Sequence, residues 1–465
     1  MKHQRISVPL ILLGLFFLMS APSLIIGILA QSRAERALAV GNNVEASTYF
    51  KKAAEHLFWR SDFWEQAGIL TQDPLTSLTL LEEAQSRRTL SSEGLIAMGD
   101  AHDALGNMEE ALLHWQTAQD RGYQSSGLYQ RLAQAYYFAG DMDAEIVSLR
   151  KWISLEDGNA SAYYRLGLLL ITSSPEEALS KFNAASRLDD EYTPVVETLR
   201  TAINIARYET IPADRLIVIG RALGLVGEWS LAADAFGRAT QVDVESALAW
   251  AWLGEARQQV GLDGRIPLDT ALRLGGEIPV VRSLRAMYWL RQGHPSQALA
   301  EYLLAAEYEP ENPVWQAALG DVYAQSGDLP PALVAYQRAT DLAPEQVVYW
   351  RLLAVFSVQY SFLVEEVGLP AALQAAELTP DDPAVLDTLG WVYLELFETE
   401  LAKENLLRAI KIEPNYAWAH THLGMVYLQE GYMDLSYSFL IRAQALAGES
   451  GAGLQATQIL EQYFP

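Results

Sequence analysis

The sequence predicts an all-α protein, a solenoid of about eleven helix hairpins preceded by one transmembrane helix. Three observations predict it. Small and aromatic residues return at fixed offsets within a 34-residue period. Glycine and proline fall where the two helices of each repeat should stop. An uncharged apolar run, Val8 to Ala30, stands ahead of the repeats.

The period is clearest from Gly99. Gly106 follows, then Ala111, Trp115 and Ala118. The same spacing returns at Gly220, Gly227, Ala232, Phe236 and Ala239, and at Gly320, Gly327, Ala332, Tyr336 and Ala339. Small residues let the paired helices approach closely, and the aromatic fills the gap beside them. The glycine that follows the first helix supplies a left-handed cap. A proline such as Pro344 or Pro414 stops the second helix, and Glu-Asn-Pro or Asp-Asp-Pro starts the next unit. Each hairpin leaves an apolar face open until its neighbour stacks on it.

These residues resemble the tetratricopeptide repeat (TPR) family. The family motif carries Leu-Gly at positions 7–8, Tyr at 11, Gly at 15, Ala at 20, an aromatic at 24, Ala at 27 and Pro at 32. Seven units follow it, beginning near Ser92, Ala160, Ala213, Pro279, Pro313, Pro383 and Ala417. The fullest has Leu389-Gly390, Tyr393, Ala402, Leu406, Ala409 and Pro414. Four further units are irregular: Ser61 to Arg88 is short, Gly127 to Asp157 puts Trp152 where alanine is expected, Ala247 to Glu277 carries Pro267, and Val347 to Pro380 is stretched with Gly368-Leu369-Pro370 interrupting its second helix. The resemblance implies a right-handed solenoid whose first helices line a concave groove.

The organisation expected is therefore a short N-terminus (1–7), an anchor helix (8–30), N-terminal repeats (31–191), an extra helix or hinge (192–212), C-terminal repeats (213–450) and a capping helix (451–465). Ala34 to Phe58 reads as a first hairpin beside the anchor. The apolar run is longer than the core of a signal peptide, and Ile28-Leu29-Ala30 is a poor cleavage site, which favours an uncleaved anchor. Lys2 and Arg5 then place the N-terminus in the cytoplasm and the repeats on the extracytoplasmic side of a single-pass membrane protein.

Composition narrows function. With 465 residues, 50% hydrophobic content and a net charge of -25, the chain is folded and acidic, and an acidic solenoid repels nucleic acid. Without cysteine there is no disulfide, no thiolate metal site and no cysteine nucleophile. The sequence has no phosphate-cradling Gly-x-x-x-x-Gly-Lys loop, no His-Glu-x-x-His zinc pair and no Gly-x-Ser-x-Gly elbow. His420 and His422 lie two apart, so on a helix they point in different directions, and His420 holds a packing position. His102, Asp103 and Asp100 lack a fourth ligand for a metal. Neither cofactor nor metal is expected, and the chain is not expected to be an enzyme.

The groove positions of the resemblance (2, 5, 9, 12 and 13) carry the candidate binding residues. In the N-terminal half they are acidic, with Asp100 and Asp103; in the C-terminal half they are apolar, with Val355, Trp391, Trp418 and Met425. Arg221 and Arg351 are the cations among positions 5 and 9, too few for the carboxylate grip that some family members use. Two places compete for Trp418, the groove or a neighbouring hairpin and closing helix, whereas Trp391 points to the groove. The expected function is a membrane-anchored scaffold holding a protein or peptide partner, in envelope biogenesis, secretion or membrane-complex assembly. The alternative is a non-catalytic subunit of a glycosyltransferase or polysaccharide-secretion system.

Overall fold

The computed structural model describes the backbone of residues 8–464 and the side chains from residue 22 onward. Among the described residues the chain is helical, and it divides into two compact units at Asn204/Ile205.

In the first unit the hairpins are α1 (Val8–Ala39) with α2 (Asn43–His56), α3 (Asp62–Leu70) with α4 (Pro74–Arg87), α5 (Ser92–Ala104) with α6 (Met108–Asp120), α7 (Ser126–Ala139) with α8 (Met142–Leu155), and α9 (Ala160–Leu170) with α10 (Pro175–Leu188). Helix α11 (Thr193–Tyr208) contains the division between the units. The second unit continues with α12 (Pro212–Leu225) and α13 (Trp229–Val242), α14 (Ala247–Gln259) and α15 (Arg265–Gly275), α16 (Pro279–Arg291) and α17 (Pro295–Tyr308), α18 (Pro313–Gln325) and α19 (Leu329–Leu342), α20 (Val347–Gln359) and α21 (Leu369–Leu378), α22 (Pro383–Glu395) and α23 (Thr399–Ile412), and α24 (Ala417–Gln429) and α25 (Met433–Ala447). Helix α26 (Gly451–Tyr463) packs on α24 and α25 and closes the stack.

The local chemistry follows the repeat. First helices end in glycines with left-handed backbone, as at Gly227 (φ 84°) and Gly327 (φ 78°), which a side chain would strain. Asp and Asn caps begin many helices; Asp382 accepts a hydrogen bond from the Ala384 N–H at 2.8 Å. Alanines at the helix crossings are fully buried, including Ala232, Ala239, Ala402 and Ala409. The stretched unit resolves differently from its sequence. A π turn over Val364–Gly368 precedes α21, and Pro370 stands in the first turn of that helix, where its missing N–H costs nothing. The Gly-Leu-Pro step therefore starts the second helix of that hairpin.

The membrane assignment is corrected. Among the described residues no helix is long and apolar enough to cross a membrane. The physical reason lies in the first hairpin. Helix α1 is one element through Pro22 to Ala39, and its later part is the partner of α2. Ser23 Oγ lies 3.0 Å from His56 Nδ1, a methyl group placed on Gly27 would meet Leu57 Cγ at 2.5 Å, and Ala30, Ala34 and Ala37 are buried. Within Ser23 to Ala30, taken in the sequence as the end of an anchor, Ser23, Gly27 and Ala30 thus face protein, while Leu24, Ile25, Ile26, Ile28 and Leu29 stay exposed. The single-pass, extracytoplasmic placement falls with the anchor; the expected cytoplasmic segment, residues 1–7, lies outside the described residues.

Candidate functional site

Three first helices and the closing helix stand side by side at the end of the second unit: α20 contacts α22, α22 contacts α24, and α24 contacts α26. Their facing side chains enclose a cavity of about 700 Å³, lined by Arg351, Val355, Asp387, Trp391, Trp418 and His422 with Tyr416 and Gln455 at its margin. That volume falls in the range of ligand-sized clefts, roughly 300–1,000 Å³.

His422 is the centre of the site. Its ring is 1% exposed and stacks on two indoles, with centroids 4.7 Å from Trp391 at 18° and 5.6 Å from Trp418 at 25°. His422 Nδ1 is 2.8 Å from Asp387 Oδ1, and the Asp387 side chain is only 7% exposed. A carboxylate accepts, so Nδ1 carries a hydrogen, and in the neutral ring Nε2 is then an acceptor. That Nε2 is buried and has no protein partner. Burial pushes the Tyr416 hydroxyl pKa up, reinforced by the negative charge of Asp387 and opposed by Arg351. The Arg351 guanidinium makes no hydrogen bond or ion pair among the described residues.

The candidate residues separate on this geometry. Arg351, Val355, Trp391 and Trp418 are brought together in the cavity wall. Trp418 also lies against the closing helix, since a methyl group on Gly451 would stand 3.1 Å from its Cζ2. Met425 sits one step beyond, where its sulfur is 3.8 Å from Gln455 Nε2. Arg221 is elsewhere in the unit, its guanidinium 5.2 Å from the centroid of the Trp252 ring. In the first unit, Asp100 accepts from Arg131 Nη2 at 2.8 Å and from Trp115 Nε1 at 3.1 Å, so its charge is countered within the fold. Asp103 stays half-buried on the same helix, and its neighbour His102 stacks on His114 at 5.4 Å. Among the described residues no three His, Asp or Glu side chains converge to hold a metal.

Asp387, Tyr416 and Gln455 carry no expectation from the sequence, and His422 is weighed there only as half of a metal pair with His420. Asp387 holds position 5 of its unit, as Arg351 does, so the repeat frame contained the signal for it. His422 holds position 6, a buried place, and only the stacking of adjacent first helices turns it toward the cavity wall.

Stacked hairpins of two antiparallel helices, with the first helices lining a cleft, define an α-solenoid. The tetratricopeptide repeat family model matches residues 384–416, the hairpin of α22 and α23 that carries Asp387 and Trp391. That hairpin carries a tetratricopeptide repeat, and tetratricopeptide repeat proteins mediate protein–protein interaction. A comparison with curated proteins finds no match. Among solved structures, the APC/C Cut9–Hcn1 hetero-tetramer is similar at 15% identity over 96% of this chain and 98% of that one, with a TM-score of 0.43. Yeast Tom70 is similar at 15% identity, covering 94% and 95% of the two chains, with a TM-score of 0.43. A tetratricopeptide repeat protein from Parabacteroides merdae is similar at 14% identity, over 54% of this chain and 98% of that one, also at 0.43. Similarity at these levels extends to no partner and no pathway.

Proposed function

We propose that this chain is a non-catalytic interaction scaffold and that a segment of a protein partner sits on α20, α22 and α24. The observation that carries this reading is the cavity itself, where two half-buried indoles and an unpaired guanidinium face one cleft. Indoles and arginine are the side chains that most often dominate binding energy, because they combine large contact area with a polar handle. Arg291 on α16, by contrast, is held by Glu255. An unpaired arginine beside apolar surface is therefore what a partner would find.

The test places a photo-crosslinking amino acid at Val355, inside the cleft, or at exposed Val334 on α19 as the control. In the source cell, the Val355 position should yield one discrete protein adduct, lost when Trp391→Ala is added, while Val334 should yield none. Equal labelling from both positions would refute the cleft as the partner's seat.

A further inference from the structure

The partner reading leaves open what chemical group enters the cavity, and three side chains define it. The Arg351 guanidinium has no hydrogen-bond acceptor among the described residues. His422 Nε2 is buried with no donor facing it, while Asp387 holds the opposite ring nitrogen at 2.8 Å. The half-buried indoles of Trp391 and Trp418 offer flat apolar surface beside that imidazole.

We propose that Asp387 and His422 form a specificity device that makes the cavity select a ring-bearing residue of the partner with a free amide N–H. On the reading of the cleft as a partner's seat, the ring lies against the indoles, the amide N–H donates to His422 Nε2, and the oxygen next along the chain accepts from Arg351. Asp387 is a positioning residue: by accepting from Nδ1 it keeps the tautomer whose Nε2 is an acceptor. A group lacking the N–H leaves Nε2 buried and unmet, which should weaken binding about tenfold or more, a cost of about 1.4 kcal/mol upward. Arg351 and Gln359 from α20, Asp387 and Thr388 from α22, Tyr416 at the start of α24 and Gln455 from α26 are the polar groups lining the cavity with the ring.

The probe is N-acetylphenylalanine, compared with its N-methylated form, which has lost the donor, and with N-acetylphenylalaninamide, which has lost the charge. Calorimetry on the full chain should show N-acetylphenylalanine binding at one site, with the N-methyl form at least tenfold weaker. His422→Phe keeps a flat ring and removes the acceptor, so it should bind the N–H and N-methyl forms alike. Arg351→Gln should equalise the acid and its amide. Independently of any variant, long-range nitrogen–proton correlation on histidine-labelled wild-type protein should show His422 with its hydrogen on Nδ1, and Asp387→Ala should mix the tautomers. A wild-type His422 carrying its hydrogen on Nε2, equal binding of the two forms, or no binding of the probe would overturn the proposal. Any of these, alongside a discrete crosslink from Val355, would leave the partner reading standing and remove only this one.

Discussion

A methyl group placed on Gly220 would stand 2.6 Å from Cε1 of Phe236, the fully buried aromatic of the facing helix. The same pair recurs as Gly167 with Phe182 and Gly320 with Tyr336, so this contact sets how closely α12 and α13, and their counterparts, approach. A real Cβ does not come that near another carbon, so one helix has to move. Gly220→Ala is expected to destabilise the second unit by about 1–3 kcal/mol, as overpacking does. Gly237→Ala, on α13 with nothing within 4 Å of the added carbon, is expected to stabilise by up to about 1 kcal/mol through helix propensity. Urea denaturation of both variants measures the contrast, and equal midpoints would sink the close-approach account.

Phe397 occupies the end of α22 with φ 63°, in the place where other hairpins have glycine. Its ring is 78% exposed, so little packing offsets the left-handed backbone. Phe397→Gly should raise stability by about 1 kcal/mol, the strain that an L side chain suffers in that region. Thermal unfolding should show a higher midpoint, and a lower one would mean that the exposed ring has a partner of its own.

Arg291 and Glu255 join α16 to α14 across 36 residues of sequence, with Nη2 to Oε1 at 2.6 Å and Nη1 to Oε2 at 2.7 Å. The Glu255 side chain is 3% exposed, whereas Arg291 is 34% exposed. Removing the arginine strands a buried carboxylate. Arg291→Ala should cost about 2 kcal/mol, below the 3–5 of a fully buried pair because water reaches the guanidinium. Adding Glu255→Gln to that variant should restore part of the loss, since a neutral amide is cheaper to bury. A double variant less stable than Arg291→Ala alone would contradict this account.

Asp321 lies on α18 and accepts a hydrogen bond from the Tyr336 hydroxyl at 2.5 Å. Burial pushes its carboxyl up from 3.8, and the Tyr336 bond pulls it only partly back. A raised carboxyl binds its proton more tightly in the folded state than in the unfolded chain. Stability associated with this group is therefore highest below its unfolded value and declines as pH rises through the folded one. Asp321→Asn keeps an acceptor for Tyr336 and removes the titration. The variant should match or exceed the wild type in stability at pH 7, and its advantage should shrink as pH falls toward 4. An advantage that grows on acidification would reverse the sign and refute the burial argument.

The cavity was only partly legible in the sequence. The repeat frame put Arg351, Val355, Trp391 and Trp418 on first-helix faces, and these four line one cleft. It did not distinguish them from Arg221, which lies over Trp252, or from Asp100, which is paired with Arg131. The difference is made by long side chains reaching across neighbouring hairpins, which a position in a frame does not encode. His422 was passed over for a similar reason. A histidine at a buried position looks like packing until the indoles and the carboxylate around it are known.

What the sequence by itself determined is the succession of helices and the type of their packing, because a fixed spacing of small, aromatic, glycine and proline residues acts within single turns and adjacent helices. Where the first hairpin begins was decided by tertiary structure alone. An uncharged run such as Val8 to Ala30 satisfies lipid and protein equally well in sequence terms, and only the fit of Ser23, Gly27 and Ala30 against α2 shows that part of it is bound by protein. The same holds for the Asp387–His422 pair: 35 residues separate its members, and stacking of consecutive first helices is what brings them within 2.8 Å.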